Sequence, residues 1–201
     1  MKAHISSHRG GFDAGFTVIT LPDAPDNPSA IGLAVLRLAA GESLDISPRR
    51  ETAWLLMSGS VAGKAGDLQF AFERKSLFDE SASCVHVAAG TVVRIEARSN
   101  SELTVYECAN RRPFAPRIFN SAQVANEPRG RGQVGGRALR YVRTIFDRSN
   151  SPPEVELVLG EVVTFPGGWS SYPPHHHPQH EIYHYRFTEP QGLYGDRKSV
   201  V

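Results

Sequence analysis

The run YPPHHHPQHEIYHYRF, residues 172–187, decides how this chain is read. It gathers five of the chain's eight histidines and one glutamate. A purification tag would be an unbroken terminal run. This one is interrupted by Pro178 and Gln179 and continues into strand-like text. Imidazole nitrogens with a carboxylate suit Zn, Fe, Mn, Ni or Cu. In an extended segment successive side chains alternate faces, so His175 and His177 point together and His176 points away. Read as a strand, Glu181–Phe187 sets Glu181, Tyr183, Tyr185 and Phe187 on one face and Ile182, His184 and Arg186 on the other. An aromatic face that carries a carboxylate suits a barrel interior. The spacing H-x-H-x3-E after a glycine at 168 therefore nominates His175, His177 and Glu181 as metal ligands. His176, His180 and His184 stay outside that set. Three protein ligands leave a position open or call for a fourth. A solvated polar loop without metal is the plain alternative.

Outward from this run, strand signals dominate. IGLAVLRL (31–38), AWLLMSGSVAG (53–63), CVHVAAGTVVRIEA (84–97) and ELTVYECA (102–109) are short and rich in Val, Leu and Ile. They often alternate apolar with polar residues. Val93, Ile95 and Ala97 share one face, with Arg94 and Glu96 on the other. AAGES, SGS, AAGT and RSNSE punctuate the strands as turns. No stretch carries a helical stripe. The pattern is all-β, as a sandwich, barrel or jelly roll gives. Residues 111–136 are rich in Pro, Gly and Arg and read as a connection. Strand-like text resumes at LRYVRTIF (139–146), VELVLGEVVTF (155–165) and EIYHYRF (181–187).

Two units invite a search for a repeat. Gly168 is followed by six residues, His175, one residue, His177, three residues and Glu181. Earlier, Gly41 is followed by five residues, Ser47, one residue, Arg49, three residues and Ala53, then five more to Gly59. The punctuation repeats, but the histidines and the glutamate are missing from the first copy.

Composition narrows the function classes. With 201 residues the chain suits one large domain or two small ones. Its 40% hydrophobic and 21% charged residues are those of an ordinary soluble globular protein. A formal net charge of +1 argues against a nucleic-acid partner, which needs a basic patch or stripe. The locally basic RGRGQVGGRALR (129–140) reads as a solvated, glycine-rich connection. MKAHISSHRGGFDAGF has no apolar core of a signal peptide. No apolar run approaches the roughly 20 residues needed to cross a bilayer, so no membrane partner is expected. Cys84 and Cys108 form neither a metal-type pair nor a disulfide framework. A cytoplasmic protein with reduced thiols is the expectation.

The histidine run also resembles the first motif of the cupins, roughly G-x5-H-x-H-x3,4-E-x6-G. PGGWSSYPPHHH, EIYHYRF and EPQG are similar to the 5-deoxy-glucuronate isomerase family of myo-inositol catabolism, which is built from two cupins. LRLAAGESLDI, LLMSGSV and VHVAAGTVVRI are similar to that family's N-terminal cupin. The resemblance covers nearly the whole chain and is densest at 166–192. It implies a bicupin fold: an N-terminal cupin without metal ligands at 1–112, a connection at 113–137, and a partial C-terminal metal-binding cupin at 138–201. His175, His177 and Glu181 match the family's metal ligands. Ser47, Arg49, Ala53 and Val93 stand at the matching N-terminal positions and form no comparable site. The first cupin is then structural, serving packing or subunit contacts. The family often has HKHD and a longer acidic loop where this chain has HHHPQHE.

The resemblance implies a metal-dependent aldose–ketose isomerase, an intramolecular oxidoreductase. It would convert 5-deoxy-D-glucuronate to 5-dehydro-2-deoxy-D-gluconate with a divalent ion (Zn, Mn or Fe). Tyr183 and Tyr185, on the face of Glu181, are candidates to orient substrate or move the proton; a role as core aromatics is their plain alternative. The partner is a small sugar acid, and a homo-oligomer is expected by analogy. Two other readings stand beside this one: a different metal cupin enzyme, such as a dioxygenase or a sugar epimerase, and a sugar-binding cupin fragment without turnover.

A second expectation concerns the end of the chain. Val93 lies 46 residues after Ser47, and the same offset from His175 reaches about residue 221. The second cupin motif and its histidine are therefore expected beyond Val201. DRKSVV (196–201) is the translation of GAT CGG AAG AGC GTC GTG, a common sequencing-adapter string, so Asp196–Val201 are expected not to be native. On that expectation the 201-residue chain binds metal weakly and turns over little.

Overall fold

A computed structural model describes His8, residues 10–173, His175 and residues 177–188. His176, the EPQG stretch and Asp196–Val201, each singled out above, lie outside the described residues. Twelve strands and two short 3-10 turns make up the regular structure, with no α-helix among the described residues. No helix there is long and apolar enough to cross a membrane.

The first nine strands form one hydrogen-bonded system in two layers. They are β1 (Gly15–Thr20), β2 (Ile31–Leu38), β3 (Ser43–Ile46), β4 (Glu51–Ala65), β5 (Leu68–Arg74), β6 (Cys84–Val87), β7 (Val93–Ala97), β8 (Ser101–Cys108) and β9 (Arg117–Phe119). One layer runs β1-β2-β8-β4-β6-β9, and the other holds β3, β7, β5 and the second half of β4. All pairs are antiparallel. The hydrophobic core between the layers includes Leu36, Trp54, Leu56, Phe72, Val85, Ile95, Leu103 and Val105. Val93, Ile95 and Ala97 are buried while Arg94 and Glu96 are exposed, as their alternation requires.

Three further strands, β10 (Glu127–Arg129), β11 (Arg140–Phe146) and β12 (Leu159–Thr164), form a second antiparallel sheet in that order. It packs on the outer face of the first layer. Ala53, Leu55 and Met57 of β4 meet Ile145, Phe146, Val155, Leu157 and Leu159 there, with Cys84 and Cys108 in the same cluster. The first half of β4 is therefore apolar on both faces: Trp54 and Leu56 serve one core, and Ala53, Leu55 and Met57 the other. This explains why ETAWLLM is buried at every position. Both cysteines are free and buried.

The expected strand at Glu181–Phe187 is absent; these residues make no ladder. A strand needs a neighbour for its N–H and C=O groups, and no described strand runs beside this one.

Candidate functional site

The histidine segment leaves β12 through a tight turn. Gly168 N–H donates to the Phe165 carbonyl at 2.9 Å, and Trp169 N–H donates to the Arg137 carbonyl at 2.9 Å. A Cβ at Gly168 would sit 2.9 Å from the Phe165 oxygen and 3.1 Å from that of Arg137, so glycine suits this close approach. Trp169 then meets Tyr172 edge-on, with centroids 5.9 Å apart. Arg140, at the start of β11, donates through Nη2 to the Tyr172 carbonyl at 3.4 Å. The segment thus reaches the histidines already tied to the second sheet.

Two of the three expected ligands touch. His177 Nε2 lies 2.8 Å from Glu181 Oε1. The Tyr183 hydroxyl donates to Glu181 Oε2 at 2.8 Å. The His175 ring is adjacent, its centroid 6.3 Å from that of His177. Its Nδ1 lies 2.9 Å from the Pro173 carbonyl. A carbonyl only accepts, so Nδ1 carries a proton, and in the neutral ring Nε2 keeps its lone pair. That is the arrangement in which an imidazole binds a metal, with its second nitrogen held by a backbone carbonyl. His177 differs, because a carboxylate also only accepts: its Nε2–H donates to Glu181, and a metal would replace that proton. Among the described residues no three His, Cys, Asp or Glu side chains converge into a cage. The donor chemistry, two imidazoles and a carboxylate, fits a divalent ion. The His177 and Glu181 side chains are about a third exposed, at 36% and 33%, so as an ion pair they are screened and contribute little to stability.

The alternation along 181–187 is as expected, but its direction is not. Glu181, Tyr183, Tyr185 and Phe187 are exposed, and Ile182, His184 and Arg186 are half-buried. Tyr183 and Tyr185 are 49% and 51% exposed and stacked on each other at 6.0 Å, so among the described residues no barrel encloses this aromatic face. The opposite face is anchored on the first sheet. Arg186 pairs with Glu102 of β8 and lies over the Phe12 ring, 5.4 Å from its centroid. His184 meets Phe12 edge-on at 6.2 Å. Burial, helped by the neighbouring Arg186 charge, pushes the His184 imidazole down to about 4. His180 is exposed.

The repeat positions of the first unit carry no donor set. Ser47 and Arg49 are exposed, while Ala53 and Val93 sit in the two cores. Sequence reading did not anticipate a buried polar knot one strand away. Glu51 and His86 are both fully buried. Glu51 Oε1 accepts from His86 Nε2 at 2.8 Å and from the Leu157 amide at 3.0 Å; Oε2 accepts from Asn110 at 2.7 Å and from the Glu156 amide at 2.9 Å. Burial alone would raise the Glu51 carboxyl, but these four hydrogen bonds outweigh it and hold it down at about 2. His86 is pushed below its usual range by burial, against the pull of Glu51. It lies flat on Phe146 at 4.1 Å, and its Nδ1 has no partner among the described residues. The only sequence signal was a glutamate and a histidine inside otherwise apolar strands.

Two antiparallel layers around one core, with a second sheet docked outside, is the architecture of a cupin protein. The chain belongs to the KduI/IolB family, whose pattern matches residues 7–199. It is 28% identical over 163 residues to the 5-deoxy-glucuronate isomerase of Geobacillus kaustophilus, covering 79% of this chain and 57% of that protein. The enzyme of the same name from Geobacillus thermodenitrificans is 32% identical over 105 residues, 52% of this chain and 36% of that one. The crystal structure of an IolB-like protein from Salmonella typhimurium superimposes with a TM-score of 0.68 at 29% identity, over 81% of this chain and 60% of that one. The chain therefore spans less than two thirds of the length of these relatives.

Proposed function

We propose that this chain carries the metal-binding half of an aldose–ketose isomerase, an intramolecular oxidoreductase acting on 5-deoxy-D-glucuronate in inositol catabolism. The product would be 5-dehydro-2-deoxy-D-gluconate. The observation that supports this most directly is the set His175, His177 and Glu181, in a family whose relatives are named 5-deoxy-glucuronate isomerase. These three residues would hold a divalent ion, Zn, Mn or Fe. When bound, such an ion supplies Lewis acidity at the neighbouring carbonyl and hydroxyl oxygens of an α-hydroxy aldehyde.

The chain's own residues do the rest. The Pro173 carbonyl fixes the tautomer and orientation of His175. Tyr183, donating to Glu181, fixes the carboxylate. Isomerisation requires a proton to leave the hydroxyl-bearing carbon and arrive at its neighbour. A Glu181 engaged as a ligand is a poor base. Tyr183 and Tyr185, on the same open face, are placed to orient substrate and move that proton. As partners we propose a sugar acid and, through sheet packing, a second copy of the chain. The open face around Glu181 favours one second reading, a sugar-binding cupin without turnover.

Metal uptake and turnover of 5-deoxy-D-glucuronate, measured together on this chain, test the proposal. The expected result is one weak divalent site, lost by at least about ten-fold in affinity in His177→Ala and in Glu181→Gln. Any turnover should be removed by a chelator. Metal bound without isomerisation would support the second reading. Metal uptake indifferent to both substitutions would overturn the site.

A further inference from the structure

The arginines single out one side chain beside the histidine segment. Six arginines of known burial are buried or half-buried: Arg50, Arg74, Arg117, Arg140, Arg143 and Arg186. Arg50, Arg74, Arg143 and Arg186 each meet a carboxylate. Arg117 meets none, but its guanidinium covers the Phe119 ring at 4.6 Å and donates to Ser151 at 2.8 Å. Arg140 also has no carboxylate partner among the described residues. Its two hydrogen bonds go to backbone carbonyls, Ala138 at 3.0 Å and Tyr172 at 3.4 Å. A guanidinium has five N–H donors in a planar fork matched to carboxylates, so these two bonds leave part of the fork open.

We infer that Arg140 receives the carboxylate of the sugar-acid substrate, while His175, three residues beyond the Tyr172 carbonyl that Arg140 holds, stands at the reacting end. This rests on the isomerase reading above. The dimensions agree with it. Three residues of extended chain reach at most ~10 Å. A six-carbon acid is about 6 Å from first to last carbon, from carbon–carbon bonds of ~1.5 Å, and a charge-assisted N–H···O contact adds almost 3 Å. A substrate with its aldehyde end at the histidines is long enough for its carboxylate to reach the guanidinium. Trp169 is 44% exposed and packed against Tyr172, which gives the same stretch an aromatic surface for the C–H face of a sugar. No other described arginine combines partial burial, a free carboxylate-matching edge and contact with the 166–181 segment.

The experiment is calorimetric binding of D-glucuronate and of its uncharged analogue D-glucuronamide to the zinc- or manganese-supplied chain, with metal uptake measured in parallel. The unsubstituted chain should prefer the acid. Arg140→Gln should weaken D-glucuronate by about ten- to a hundred-fold, the loss expected for a charged hydrogen bond. With metal supplied at saturation, the same change should leave D-glucuronamide binding unchanged, so that the preference for acid over amide is what is lost. Arg140→Lys, which keeps the charge but not the fork, should fall between the two and serves if the glutamine variant fails to fold. Equal affinity for acid and amide, or no change in either variant while metal still binds, overturns Arg140 and leaves the isomerase reading standing. Neither metal nor acid bound by the unsubstituted chain overturns both.

Discussion

Glu51 is fully buried and still an anion. An isolated buried carboxylate would be neutral, but four hydrogen bonds, two of them from backbone amides of the second unit, favour the charged form. Its folded value of about 2 lies below the ordinary 4.5. The stability it contributes is therefore fully present above pH 4.5 and is lost as pH falls toward 2. A shift of that size corresponds to about 3 kcal/mol. His86 acts in the same direction, because the unfolded chain gains a proton below about 6.5 that the buried ring refuses. Glu51→Gln is expected to cost about 3 kcal/mol at pH 7, with the gap to the unsubstituted chain narrowing below pH 4.5. Thermal unfolding from pH 7 to 3 checks this, and a gap constant over the range would show that the charge is not what stabilises. At this scale the sequence was legible unevenly. The spacing of His175, His177 and Glu181 announced itself because all three are side chains close in sequence. Glu51 did not, because two of its donors are backbone amides over a hundred residues away.

Strands were the most readable elements, and β4 shows why and where that ends. The reading 31–38 for β2 coincides with the observed strand, and the apolar run at 53–63 falls inside β4. Alternation and apolar runs report which faces are buried. They do not report whether a neighbour is present, and so Glu181–Phe187 kept its alternation without becoming a strand. Nor did the sequence disclose that β4 changes layers in mid-strand. Its register slips between Leu56 and Ser58, and Gly59 follows with φ at +97°. A Cβ there would sit 2.4 Å from Ser101 Oγ and 2.5 Å from the Asn100 carbonyl. Gly59→Ala combines a disfavoured backbone with a clash and should cost at least about 2 kcal/mol. In a chain of this size that lowers the unfolding midpoint by roughly 4–8 °C. A midpoint within a degree of the unsubstituted chain would mean that the strand bends without needing glycine.

Across the whole molecule, the two cores share the first layer as a common wall and are joined by a second buried polar clamp. Arg74 of β5 and Arg143 of β11 are each 1% exposed, and both converge on Glu161 of β12. Arg74 makes a two-point contact at 2.8 and 2.7 Å and also donates to the Leu56 carbonyl at 2.9 Å. Arg143 spans to the Leu77 and Phe78 carbonyls at 2.9 and 2.7 Å. One carboxylate is therefore the shared counter-charge of two buried cations and ties the second sheet to the first unit. Because the candidate histidines hang from β12 and from Arg140 at the start of β11, this clamp also sets where they stand. Glu161→Gln leaves two guanidinium groups buried without their counter-charge, a change that typically costs about 3–5 kcal/mol. The loss should be local before it is global. Amide exchange in β11 and β12 should rise well ahead of that in β3 and β7, whose apolar side chains belong to the first core alone. Metal affinity at His175 and His177 should fall with it, since the segment loses its support. If the β11 and β12 amides in Glu161→Gln stay as protected as those of β3 and β7, the apolar contacts of β4 with Ile145, Phe146 and Leu157 are sufficient to hold the units together, and the clamp supplies counter-charge without coupling them.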